Sequence, residues 1–254
     1  MTLRIDLAWL TATLLLSARI AAATVLTPIF GPTQIPGPVR VFIALSLAAF
    51  LVLAVPVSMP PLTDTTDLAV ATLGELLLGA SLAFGFLVAW SATQIAGRVL
   101  DIQLGYGAAS VLNPATQTPA PLIGSVLGMA AVAVFLALDG HHVLIRALAL
   151  SVQHYPPGVL ALDMDLSEHL RFSGAMFTFG LALAAPVMLS LLLADIAMAV
   201  MSRSMPQLNV FVLSFSVKIV LGLMGLALSV KFAGAVLTGL FESTWRFWEA
   251  VAGG

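Results

Sequence analysis

The chain has 254 residues, of which 60% are hydrophobic and 9% charged, and it contains no cysteine. An average soluble domain is about 45–50% apolar and about 25% charged, so 10 Lys and Arg with 12 Asp and Glu are too few to cover a water-facing surface. This excludes an ordinary cytosolic enzyme, a disordered chain and a basic nucleic-acid binder, while the missing Cys removes disulfides, thiolate nucleophiles and cysteine-ligated metals.

An apolar run of about 18 residues or more can span the hydrocarbon core of a bilayer, and several such runs follow one another. The first extends from Leu7 to Phe30 with Arg19 inside it. Asp6 and Arg19 spoil the pattern of a cleaved signal, so the run reads as a retained helix. The second covers Val39 to Val57, and the third Leu68 to Ile95 with Glu75 inside it. The fourth, Leu122 to Leu138, resumes after Asp139 and continues to Val152. A fifth runs from Phe172 to Met201 with Pro186 at its middle and Asp195 near its end. The last, Val210 to Leu240, is long enough for one tilted helix or a helical hairpin. The expectation is six or so helices in a single membrane domain. Pro-rich and Gly-rich breaks separate them, because proline lacks the amide donor and disfavours helix in the residue before it. Lys and Arg are scattered almost singly among these breaks, so the positive-inside count fixes no orientation.

Intramembrane charges are costly and face protein or water. Glu75, Asp195 and Lys218 are read as contacts fixing one helix or subunit against another, in preference to a proton relay. Arg98 and Asp101 stand three residues apart, the spacing of neighbours on a helix surface. Beyond them, the small, polar, Pro-bearing segment that ends at Pro119 lies between two strongly apolar runs. It is either an external loop or a structured element lining a cavity, the one setting in which irregular backbone survives at membrane depth. Asp139-Gly-His-His could suggest a metal or catalytic centre. Adjacent helical residues point about 100° apart, so the preferred reading is a helix start with Asp139 near its N-terminus. Gly124 with Gly128, and Gly222 with Gly225 and Ser229, form small-residue faces that let helices approach closely. The C-terminal Phe241, Trp245, Phe247 and Trp248 with Glu242, Arg246 and Glu249 have an interfacial composition.

The run Ala96-Gly97-Arg98, Asp101-Ile-Gln-Leu-Gly-Tyr-Gly, Asn113-Pro114-Ala-Thr-Gln and Phe135-Leu-Ala-Leu-Asp-Gly-His-His142 resembles the FliR family of flagellar biosynthesis proteins. So does Met205-Pro-Gln-Leu-Asn-Val-Phe-Val212 followed by Lys218-Ile219. The wider family includes the SctT-type export components of virulence type III secretion, and the resemblance covers essentially the whole chain. The Pro-Gln-Leu-Asn-Val-Phe and Asp-Gly-His-His forms look more flagellar. Ser214-Phe215-Ser216 departs from the Gly-Phe-Pro expected before the Lys-Ile pair and bears on a local kink.

The resemblance implies an all-α membrane protein of long kinked helices and helical hairpins. A FliP-like part would cover about 1–200 and a FliQ-like part about 201–254, packed in a helical export-gate assembly. It implies a non-enzymatic subunit without cofactor in the bacterial inner membrane, at the flagellar basal body. Its partners would be FliP, FliQ, FlhB and FlhA-type proteins, membrane lipid and unfolded flagellar export substrates, with no nucleic acid. The segment Gly105 to Pro121 would plug the pore, its plug residues being Gly105, Tyr106, Gly107, Ser110, Val111, Leu112, Asn113 and Pro114, with Tyr106, Val111, Leu112 and Asn113 near the constriction. Arg98 and Asp101 would anchor its base. A secondary transporter predicts repeated halves with interrupted helices, and no convincing repeat is present; an intramembrane hydrolase lacks a credible nucleophile and base.

Overall fold

The computed structural model describes residues 7–27, 35–55, 60, 64–105, 122–159, 166–204 and 210–253. Among these residues the regular structure is entirely helical, in the order α1 (Leu7–Val25), α2 (Gly37–Ala54), α3 (Thr65–Leu104), α4 (Leu122–Ala137), α5 (Gly140–His154), α6 (Leu166–Ser173), α7 (Ala175–Ser204) and α8 (Val210–Gly253). Five helical segments are long and apolar enough to cross a membrane, or up to six if the broken pair α4 and α5 counts as one span. The chain is an all-α membrane protein.

Two helices exceed their expected length. The third apolar run ends at Ile95, yet α3 continues to Leu104 as a 40-residue helix. Its end is made by Gly105, which takes a left-handed φ of +86°, the conformation that closes helices and that only glycine adopts without strain. The last run is one helix rather than a hairpin: α8 has 44 residues. At 1.5 Å per residue α3 and α8 are about 60 and 66 Å long, roughly twice the 30 Å of a hydrocarbon core.

The residues group into two compact units, each assembled from separated stretches of sequence. Residues 1–88, 139–172 and 242–254 form the first, and residues 89–138 and 173–241 the second. In the first unit α1 packs on α2. Leu16, Ile20, Leu78, Leu82, Leu148 and Trp248 are fully buried there. The Trp248 indole N–H donates to the Leu82 carbonyl at 2.8 Å, and the Phe247 ring stacks on Phe172 with centroids 4.6 Å apart. The aromatic C-terminus therefore serves as core for this unit. An interfacial belt and a core share the same composition, and here Phe247 and Trp248 are 4% and 1% exposed.

The second unit is held by small residues. In lipid, apolar side chains gain little by leaving the solvent, so packing depends on how closely backbones approach. A Cβ on Gly97 would overlap the Gly124 backbone, and one on Gly222 would strike the Leu104 side chain. Gly128 lies under the Trp90 ring, and Gly225 faces Ser190 and Val187. Both small-residue faces thus meet neighbours within the chain. Phe135 and Phe241 add an aromatic contact with ring centroids 5.4 Å apart.

Candidate functional site

The first unit contains a buried charge cluster. Arg19 and Glu75 are both fully buried, and the guanidinium grips the carboxylate with two bonds, Nε to Oε2 at 2.7 Å and Nη2 to Oε1 at 3.1 Å. Both terminal nitrogens make a further bond. Arg19 Nη1 donates to the Ser151 hydroxyl at 3.0 Å and Nη2 to the Tyr155 carbonyl at 2.8 Å. The Gly158 amide donates to Glu75 Oε1 at 3.2 Å. A planar fork facing a carboxylate in two-bond register is the strong form of this contact. The cluster joins α1, α3, the end of α5 and the turn after it. Close approach makes it possible, since a Cβ on Gly79 would overlap the Arg19 carbonyl. In the sequence Arg19 registered only as an interruption in an apolar run; a charge at that depth was the available signal that it needs a partner.

The second unit holds a different pair. Lys218 Nζ lies 2.6 Å from Asp195 Oδ1, joining α8 to α7, and the two side chains are 21% and 47% exposed. The apolar side chains around it also face outward: Leu192, Leu193 and Ile196 on α7, and Phe215, Val220 and Leu223 on α8.

At the end of α3 the structure separates two residues that spacing would pair. Arg98 is exposed, Asp101 is 6% exposed, and no ion pair joins them among the described residues. Asp101 instead accepts the Ile123 backbone N–H at 3.2 Å. The bond ties the last turn of α3 to the first turn of α4, where orphan amide donors need acceptors. It therefore brings together the two sides of the segment between those helices. The other carboxylate oxygen is shielded and has no hydrogen-bond partner. Gly105 follows directly, its Cα side pressed against the Phe215 ring. Tyr106, Gly107, Ser110, Val111, Leu112, Asn113 and Pro114 lie outside the described residues.

The Asp139-Gly-His-His turn sits at the break between α4 and α5. Asp139 occupies the N-cap position of α5, but in a left-handed conformation with φ 54° and with no side-chain capping bond. Its backbone carbonyl accepts the His142 amide at 2.9 Å. The carboxylate instead faces the His142 ring, Oδ1 to Nδ1 at 3.4 Å. The His141 and His142 rings do not diverge as helical neighbours would; their centroids are 4.1 Å apart.

Several kinds of relative share this sequence pattern. The chain is 29% identical to the flagellar biosynthetic protein FliR of Bacillus subtilis, over 92% of this chain and 91% of that one. It is 27% identical to the flagellar biosynthetic protein FliR of Escherichia coli, over 85% and 83% of the two chains. It is 30% identical to the Yop proteins translocation protein T of Yersinia pestis, over 82% and 81%. The profile of one family, described as bacterial export proteins, family 1, matches residues 10–244. With the long apolar helices, a match over nearly the whole chain and relatives aligned almost end to end, the chain belongs to the bacterial export proteins, family 1, as a component of type III export.

Proposed function

We propose that the chain is a core subunit of the flagellar type III export gate in the inner membrane. With FliP-like and FliQ-like neighbours it forms the pore that passes unfolded flagellar subunits, and it acts without catalysis. The observation that carries this reading is the apolar surface the chain leaves uncovered on helices too long for a bilayer. In the most apolar window of Leu213–Gly253 only 11% of residues are buried within the chain. Leu228 and Val230 are 82% and 65% exposed. The exposed apolar side chains of α8 run from Leu213 to Phe232, about 30 Å of a helix about 66 Å long, and in an export protein of this family neighbouring subunits are the proposed cover for that stretch. Residues about 1–200 would then act as the FliP-like part and about 201–254 as the FliQ-like part, with FlhB and FlhA-type proteins at the cytoplasmic side.

The segment from Gly105 to Pro121 is the proposed plug. What supports it is that Asp101, bound to the Ile123 amide, and Gly105, closing α3, hold the residues on either side of that segment close together. Two tests address the two levels of the proposal. Tagged protein purified from its native membrane should bring down FliP-like and FliQ-like chains, and its gene deletion should abolish swimming. Purification alone or as a homo-oligomer with a bound solute would point to a transporter. Deleting part of Gly107 to Thr118 should make membranes leak ions. Unchanged conductance in an assembled gate would sink the plug while leaving the subunit assignment intact.

The 30% identity to the Yop proteins translocation protein T favours a second reading, a virulence-type export component. A deletion strain that still swims but no longer secretes effectors would select it.

A further inference from the structure

We infer that Asp139, His141 and His142 form a binding site for a late first-row divalent cation, of the Zn2+ or Ni2+ class, at the break between α4 and α5. Each residue offers one ligand atom, and the three atoms lie within 4.8 Å of one another. The Asp139 Oδ1 to His142 Nδ1 separation of 3.4 Å is long for a hydrogen bond, which favours about 2.7–3.2 Å. It matches the edge of a tetrahedron whose metal–ligand bonds are about 2.0–2.2 Å, roughly 3.3–3.5 Å. Small rotamer changes would bring the other two edges to the same length.

Three further observations point the same way. The Asp139 carboxylate is not spent on capping α5, although it stands at the cap position. The His141 Nδ1 atom is shielded from solvent and has no hydrogen-bond partner. The two imidazole rings lie with centroids 4.1 Å apart, so nitrogens of both can reach one ion. The donor set decides the class. Two imidazole nitrogens and one carboxylate oxygen suit Zn2+, Ni2+ or Cu2+ and poorly suit Mg2+ or Ca2+, which prefer oxygen throughout. The carboxylate also offsets the positive end of the α5 dipole, which otherwise disfavours a cation there. Asp139 and His142 are 72% and 70% exposed, so the ion can enter from outside, and the fourth coordination position stays open to water or to a side chain of a neighbouring subunit.

The test uses the full chain in detergent, purified without a polyhistidine tag, with Zn2+ alone as probe in competition with a chromophoric chelator. One equivalent should bind in the micromolar range. His142→Ala, an exposed substitution that leaves the core of α5 intact, should weaken binding at least tenfold, and Asp139→Asn several-fold. His154→Ala and His169→Ala, which change the remaining histidines of the chain, should leave affinity unchanged. Co2+ should give a visible spectrum of low-coordinate nitrogen and oxygen ligation that His142→Ala abolishes. Absence of stoichiometric Zn2+ binding, or equal binding by the native chain and His142→Ala, would overturn the site.

Discussion

Arg19–Glu75 and Lys218–Asp195 are both ion pairs between apolar helices, and their surroundings make them different objects. In the first unit both partners are sealed off, and four further hydrogen bonds complete the cluster. In the second, a single ammonium–carboxylate contact joins the partners among the described residues, and it stays open to the outside. A buried pair is held by the cost of separating it: desolvation makes the net gain over an apolar pair small, while removing one partner strands a charge. An open pair pays little in desolvation and adds correspondingly little to the fold. The first cluster thus organises its own unit, whereas the second is placed where a neighbour can reach it.

The largest effect should come from breaking the buried cluster asymmetrically. Glu75→Gln leaves the Arg19 cation without its counter-charge, and the expected loss is about 3–5 kcal/mol of stability. Thermal unfolding in detergent, followed by helical circular dichroism, reads it directly. The double substitution Arg19→Met with Glu75→Met should recover most of that loss, because an apolar pair of similar volume needs no counter-charge. A double variant as unstable as Glu75→Gln would mean that the cluster acts through shape and not through charge.

How far these features were legible in the sequence depends on the distance over which each is decided. Glu75, Asp195 and Lys218 stood out because a charge inside an apolar run is costly wherever its partner lies. The identity of the partner was hidden, since Arg19 and Glu75 are 56 residues apart and no local period reports a contact of that range. Helix length failed at α3 for a related reason. Arg98 and Asp101 mimic the polar end of a span, yet the helix continues beneath them because Arg98 points outward and Asp101 has an amide on α4 to accept. At the C-terminus, Phe247 and Trp248 have the composition of a membrane belt, and only Gly85 and the Leu82 carbonyl facing them identify a core. Small-residue faces were recognisable, but the faces they meet were not.

The small-residue packing of the second unit should break with intermediate cost. A Cβ on Gly97 would meet the Gly124 backbone, which cannot rotate away as a side chain does. Gly97→Ala should therefore cost about 1–3 kcal/mol through overpacking. Gly234 on α8 has nothing within 4 Å of its Cβ position, so Gly234→Ala should have the opposite sign and stabilise by up to about 1 kcal/mol through helix propensity. Melting the two variants side by side separates packing from propensity. Equal shifts would show that α3 and α4 do not depend on that close approach.

The smallest effect on the isolated chain should come from the open pair. An exposed ion pair contributes about 0.2–1 kcal/mol, so Lys218→Met should shift the unfolding midpoint only slightly, far less than Glu75→Gln. Its consequence belongs to assembly. Asp195 is 47% exposed beside Leu192, Leu193 and Ile196, all more than half exposed, and a carboxylate on such a face is costly wherever lipid covers it. Removing Lys218 leaves that carboxylate without the counter-charge that makes the face tolerable, whether a neighbour or lipid lies against it. Recovery of FliP-like and FliQ-like chains with Lys218→Met should fall although the chain itself still folds. The exchange Lys218→Asp with Asp195→Lys should restore it if the pair acts within the chain. Failure of the exchange, with folding intact, would mean that the partner reads the sign of one of these charges, and the contrast between a sealed pair and a shared one would become sharper still.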